Sequence, residues 1–378
     1  MNQQKIKVTN QQYILDLIHH EKEISRAEIA SKLGLNKATV SSQVSDLLEK
    51  DLLVETRIGA SSGGRRPVML KINTDAGYVI GVEFLIHKAI CLVSNLDGDV
   101  VHTYTFEHDS TDAFDYLTHI CEEVKIIIDS LPQTTYGVVG ISFAVPGILD
   151  KLGRLLLAPN LRWKNIDLKS WLSQQFPMPV YVLNEANAGA YNEHIVGQAM
   201  EASSFAYISI DSGIGVGIMM GDQIYEGDSG FAGEDGHMVI SIDGRPCPCG
   251  NKGCWETYAS GEALLQEATT RGLERNFTTL TTLAKEGNEQ ARACFEAVGR
   301  YIGIGLSNIA KTLNPEYLII GGIFNDVRDV IEPAIQQSLS THQQWLERKE
   351  SLLRFSTEQH PAPKGAIRYA IRQFLIID

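Results

Sequence analysis

The chain has no long apolar run. No segment approaches the roughly 20 consecutive apolar residues that cross a bilayer, and the opening MNQQKIKVTN lacks the apolar core of a secretory signal. Membrane-spanning and secreted classes are set aside, and a cytoplasmic protein is expected. Cysteine is scarce, at 6 in 378 residues, too few for a disulfide scaffold. Cys91 and Cys121 stand alone and read as small buried hydrophobes. Positive charge is in deficit: 33 Lys/Arg face 46 Asp/Glu, a formal net of −13. That excess repels polyphosphate and excludes nucleic-acid binding by the chain as a whole. Apolar content is ample at 44%, which excludes disorder and, at this length, calls for two or three domains rather than one core.

The deficit is unevenly spread. Residues 1–72 hold 11 Lys/Arg against 8 Asp/Glu, a net of +3, which leaves 22 against 38, a net of −16, for the other 306. If the chain touches nucleic acid, it does so through this basic head. The head reads as helix, helix, helix and wing. Val8–His20 carries Ile14, Leu15, Leu17 and Ile18 at helical spacing. Ser25 caps RAEIASKLG with Glu28 as capping-box partner and Gly34 as terminator, and Asn36 opens NKATVSSQVSDLLEK. On this third helix Val40, Val44, Leu47 and Leu48 share one face, leaving Ala38, Thr39, Ser42 and Ser45 on the other with Lys37 and Gln43 flanking them. Short hydroxyls and an amide suit close entry into a major groove, and lysine suits phosphate. Two β-prone runs follow, joined by a Gly/Ser-rich turn with Arg65 and Arg66, which either read a narrow minor groove or hold phosphates.

Farther along, GHMVISIDGRPCPCGNKGCWE presents His237, Cys247, Cys249 and Cys254. Three thiolates and an imidazole complete a tetrahedral Zn²⁺ shell with no position left for water, so a structural rather than catalytic zinc is expected. The intervening segment is too short and Gly/Pro-punctuated to build a core, and metal binding is expected to order it.

From Tyr78 the pattern becomes α/β. GYVIGVEF, KAICLVSNL and DVVHTYTFEH read as consecutive strands turning at Asp97-Gly98, followed by a helical segment to Ser130 and the buried strand YGVVGISFAV. VYVLN leads into the helical EANAGAYNEHIVGQ; FAYISIDSGIGVGIMM reads as strand, glycine turn, strand; YLIIGGIF is a short buried strand. GAIRYAIRQFLIID reads as a last amphipathic helix, either returning to the first lobe or forming a dimer contact.

The segments VPGILD, APNLRW, NEANAGAY, DSGIGVGI, GDSGFAGEDGH, CPCGNKGCWE and NPEYLIIGGIF, in this order behind a winged helix, resemble the ROK family of repressors, open reading frames and sugar kinases. Within it, ISRAEIASKLGLNKATVSSQV, SSGGRRPVML and NEANAGAY look most like the xylose-repressor branch of Gram-positive bacteria. The resemblance implies a winged helix-turn-helix over 1–72, a first actin-like (ribonuclease H-like) lobe over 73–182 plus 360–378, and a second lobe over 183–359 with the zinc site and a dimerisation surface. It also implies sugar contacts at Asn184, Glu185, Glu234, His237 and Glu256, with Asn160 in addition. Carboxylates, amides and imidazole suit vicinal hydroxyls, and His237 is then shared between zinc and sugar. The implied partners are pseudo-palindromic operator DNA, D-xylose or a related monosaccharide as inducer, and a second or further copies of the chain. Family kinases carry Asp-x-Gly-Gly-Thr on the first strand; here stand Glu83-Phe84-Leu85-Ile86-His87, so no catalytic residues and no enzyme activity are expected. A kinase with a regulatory head, and a repressor of another sugar regulon (glucose or N-acetylglucosamine) controlled by protein sequestration, remain as alternatives.

Overall fold

The computed structural model describes residues 3–58, 67–110, 112–342 and 352–375. Local signals set the head. Glu28 accepts from the Ser25 amide at 2.9 Å while Ser25 Oγ accepts from the Glu28 amide at 3.3 Å, closing a capping box on helix Arg26–Leu33, which ends at Gly34 with φ 65°. Asn36 Oδ1 accepts from Thr39 N at 2.8 Å and starts helix Lys37–Glu49. The first helix is longer than its apolar period predicts, running Gln3–Glu21; Gln and Lys extend it because nothing in that stretch breaks a helix. Strands Leu53–Ile58 and Val68–Ile72 pair antiparallel, and Ile24–Ser25 adds a third strand. Arg65 and Arg66, at the turn of this wing, lie outside the described residues.

The body repeats one topology. In the first sheet, Tyr78–Phe84, Lys88–Ser94 and Val100–Glu107 form an antiparallel meander; Val138–Val145 lies parallel to the first of them, and Val180–Asn184 parallel to Val138–Val145. In the second, Ser204–Ile210, Ile214–Met220 and Gln223–Ile224 form the meander, and Tyr317–Gly322 and Leu353–Phe355 are the parallel strands. The same strand order built twice is a two-lobed α/β fold, and it brings the first hairpin turn of each lobe, Leu85–His87 and Asp211–Gly213, toward a common cleft. The helix Glu289–Leu313 and the buried Trp255, whose Nε1 donates to Tyr301 O at 2.7 Å, centre the second lobe's core. Cys91 and Cys121 are buried apolar groups, as is Cys294.

The C-terminal helix Pro361–Leu375 returns to the first lobe, as one of the two readings of that segment expects. Its apolar face joins Ile14, Leu15, Ile18, Val40, Val44 and Leu47 of the head, Val79, Ile90 and Leu92 of the first sheet and Leu96 of the turn that follows in one continuous core. The head is therefore packed on the body rather than tethered to it. No described helix is long and apolar enough to cross a membrane.

Candidate binding cleft and metal cluster

On helix Lys37–Glu49, Lys37, Ala38 and Ser42 are exposed and Thr39 is half-buried, whereas Gln43 is only 8% exposed and its Oε1 has no partner among the described residues. Gln43 is thus a correction: it stands one turn before Leu47 and turns inward with it instead of flanking the outer face.

Asn160, Asn184, Glu185, Glu234, His237 and Glu256 all line one cleft between the lobes. Glycines bring them together. A Cβ at Gly233 or Gly236 would collide with the carbonyls of Val216 or Ile214, so the turn Glu234–His237 lies directly on strand Ile214–Met220. A Cβ at Gly213 would stand 2.9 Å from Glu256 Oε2 and 3.1 Å from Asn160 Nδ2. A Cβ at Gly215 would stand 2.6 Å from Glu185 Oε1, and one at Gly217 would strike the Ala186 carbonyl. The alternate glycines of DSGIGVGI therefore let helix Glu185–Ile195 settle against the hairpin. Asn160 Nδ2 reaches Ser212 Oγ at 3.4 Å, a bond across the cleft.

Asn184 is more occupied than the sequence indicates. Its Oδ1 accepts from Ala186 N and Asn187 N at 2.9 and 3.1 Å, capping the helix, and its Nδ2 donates to Gly147 O at 3.1 Å. One amide hydrogen remains. Glu83, Asp211, Ser212 and the buried Asn187 line the cleft as well, unforeseen by the sequence reading. Asp211 and Ser212 could have been found as the polar tip of a turn pseudo-equivalent to Leu85–His87.

The carboxyls crowd one another. Burial first, then the Asp211 charge, pushes Glu83 up to about 8, with Lys88 opposing. Burial, then the charges of Glu234, Glu83 and Asp211, pushes Glu185 up to about 8 against its own backbone hydrogen bond, and its Oε2 is buried without a partner among the described residues. At neutral pH these are largely protonated acids able to donate to a hydroxyl. Acids whose folded values exceed the unfolded value of 4.5 stabilise the fold below that value and lose the contribution as pH rises through about 8. The melting temperature is expected to fall between about pH 5 and 8 from this source, and Glu185→Gln to flatten the slope in a calorimetric pH series.

The donor atoms of His237, Cys247, Cys249 and Cys254 lie within 4.8 Å of one another. His237 Nδ1 is 3.6 Å from Cys247 Sγ, and Cys249 Sγ is 3.7 Å from Cys254 Sγ. Ligands about 2.0–2.3 Å from a tetrahedral metal stand about 3.5–3.8 Å apart, so the residues fit such an ion. His237 therefore faces the thiols with Nδ1 and the cleft with Nε2, 4.0 Å from Glu234. Glu256 spans both sites: Oε1 accepts from Cys247 Sγ at 3.0 Å and lies 3.4 Å from His237 Nδ1, while Oε2 faces Gly213.

A winged-helix head fused to a two-lobed α/β body with a polar interlobe cleft and a His/Cys cluster defines the class. Residues 79–372 match the ROK family and residues 10–54 a winged helix-turn-helix DNA-binding family; the chain belongs to the ROK family as a winged-helix transcriptional regulator. It is 38% identical over 336 residues to the xylose repressor of Bacillus spizizenii, covering 89% of this chain and 88% of the relative. The crystal structure of a ROK family transcriptional regulator, homologous to the E. coli MLC protein, superposes with TM-score 0.81 at 26% identity, covering 98% of both chains. A ROK glucokinase from Streptomyces griseus, in complex with glucose and AMPPNP, superposes with TM-score 0.69 at 26% identity, over 77% of this chain and 98% of its own.

Proposed function

We propose that this protein is a sugar-responsive repressor, bound to operator DNA of xylose-utilisation genes and released by D-xylose. The observation that carries this reading is one first lobe packed against two surfaces: the head, with Lys37, Ala38 and Ser42 exposed, and the interlobe cleft, where Leu85 and Ile86 occupy the turn that in family kinases is Gly-Gly. Those two side chains take the space that nucleotide phosphates need for backbone amides, so the reading is non-enzymatic. The name of the Bacillus relative supports xylose.

Sugar hydroxyls are met by Glu185, Glu234, Glu256, His237 Nε2, the free Asn184 amide hydrogen and Asn160. His237 Nδ1 and the three thiolates would hold Zn²⁺, and that bond would fix the imidazole's tautomer and rotamer. Two heads of a cytosolic homodimer engage half-sites about 34–36 Å apart on a pseudo-palindrome, through Lys37, Ala38, Thr39, Ser42 and the arginines Arg65 and Arg66. Lobe closure on the sugar moves the heads off that spacing, which requires the sugar to prefer the closed state.

A thermal-shift panel against xylose, glucose, N-acetylglucosamine and arabinose tests this. Xylose at 100 times its Kd adds about 2.7 kcal/mol, a rise of several degrees, and should release operator DNA in a binding titration. No shift with any sugar sinks the reading. Sugar-dependent ATP hydrolysis would instead favour the kinase reading to which the glucokinase likeness points.

Glu185 also suggests pentose selection. Its carboxyl is pressed toward Gly215 by one methylene more than an aspartate has, into space the hydroxymethyl of a hexose would need. Glu185→Asp is expected to raise glucose affinity relative to xylose by about tenfold, the worth of roughly 1.4 kcal/mol, and an unchanged ratio by calorimetry would remove the idea.

A further inference from the structure

The C-terminal helix Pro361–Leu375 touches the cleft helix on one side and the head on the other. A Cβ at Gly365 would collide with the Ala188 carbonyl, so it meets helix Glu185–Ile195 backbone to backbone. One turn on, Arg368 Nε donates to Asn192 Oδ1 at 3.2 Å. Asn192 is fully buried and its Nδ2 has no partner among the described residues, so Arg368 is what holds that side chain. From its other side the guanidinium lies against the turn Asn95–Asp99: Gly98 has φ 85°, and a Cβ there would stand 2.8 Å from Arg368 Nη1. The same turn holds the head. Asp97 Oδ1 pairs with Lys22 Nζ at 2.7 Å and lies 4.0 Å from His19 Nε2, while Leu96 enters the core shared with Ile14, Leu15 and Ile18.

We propose that Arg368 is a positioning residue that couples the cleft helix to the DNA-binding head, through Asn192 on one side and the Asn95–Asp99 turn with Lys22 on the other. The proposal rests on the sugar-responsive reading for its trigger. Helix Glu185–Ile195 begins at the cleft with Glu185 and is about 16 Å long. A shift imposed on its first turn is carried as a rigid rod to Asn192, where Arg368 is its charged link to the turn that grips the head. The close Gly365 contact prevents the two helices from sliding independently, since packed backbones have no slack to absorb the movement. Burial lowers the pKa of the Arg368 guanidinium, opposed by the charges of Asp97, Glu358 and Asp99.

The test uses the full-length chain with Arg368→Gln and Arg368→Lys. In the absence of sugar, amide hydrogen exchange in R368Q should rise at least about tenfold in His19–Lys22 and Asn95–Asp99 together, with helix Glu289–Leu313 unchanged. Xylose affinity should stay within about threefold of wild type, while the ratio of operator affinities without and with xylose falls below about two, from the roughly 5–150-fold of a typical coupling. R368K, which restores the charge facing Asp97, should recover exchange protection and part of the ratio. A wild-type ratio in R368Q, or exchange raised equally in Glu289–Leu313, overturns the coupling role. If wild type itself ignores xylose, the functional reading fails separately and the exchange arm decides: unchanged exchange in R368Q overturns the proposal, and the local rise upholds the link with a different trigger.

Discussion

Cys254→Ser is expected to remove stoichiometric zinc from the purified protein and to weaken xylose binding at least tenfold. Cys254 is fully buried, and its sulfur is one of two paired 3.7 Å apart in the cluster. The loop it closes is held by backbone hydrogen bonds such as Cys247 N to Asn251 O at 2.9 Å and by the Arg245–Glu267 ion pair, but it buries little apolar surface, with Val239 and Ile242 exposed. Burial holds the Cys247 thiol up and pushes Cys254 up to about 11, so metal uptake must displace protons and weakens as pH falls. With the fourth ligand gone, His237 loses the bond that sets its rotamer, and orienting contacts of this kind are worth about 10–100-fold. Trp255 next door is anchored to Tyr301 O and fills the space over Gly305, so the second lobe should stay folded while the loop loosens. Metal analysis beside calorimetry decides the matter: full zinc content, or xylose affinity unchanged after its loss, would show that the cluster does not orient the cleft.

Ala38→Glu/Ser42→Glu is expected to abolish operator binding without harming sugar binding. The two positions are exposed and one turn apart, so the double variant sets a pair of carboxylates where phosphates and base edges would lie. Losing two close contacts at about 1–3 kcal/mol each and adding repulsion amounts to about 3–6 kcal/mol or more, on the order of 10²–10⁴ in affinity. The cost to the helix is small, because like charges at this spacing destabilise it by only about 0.2–0.5 kcal/mol. A titration at fixed salt in which the double variant binds operator as wild type does would place the DNA-reading surface elsewhere on the chain.

The legible parts were those written in short spacings. Ser25 with Glu28, Asn36 and Gly34 mark helix ends by their own side chains, and the His/Cys pattern marks its cluster because ligand chemistry constrains spacing. What escaped depends on partners remote in sequence. Gln43 turns inward because of how its helix is seated, not because of its polarity. Asn184 is largely consumed by capping its own helix and by Gly147, a residue 37 positions away. Glu83 reads in sequence as a lost kinase feature, yet it also lines the cleft with Asp211 and Glu185, which becomes visible only when both hairpin turns face each other. The alternate glycines near Gly213 looked like turn formers; Gly215 and Gly217 instead lie within a strand and admit a helix.

The core that Ile14, Leu15 and Ile18 share with Leu92, Leu96, Ile367 and Ile371 has a consequence for how the molecule comes apart. A boundary at residue 72 divides the chain but not the unit of cooperativity. Severed there, the body would present a greasy face assembled from its first sheet and last helix, and the head would lack the surface that completes its own interior. Head and first lobe are expected to melt together, and synthesis must reach the last helix before the first residues of the chain find their final seat.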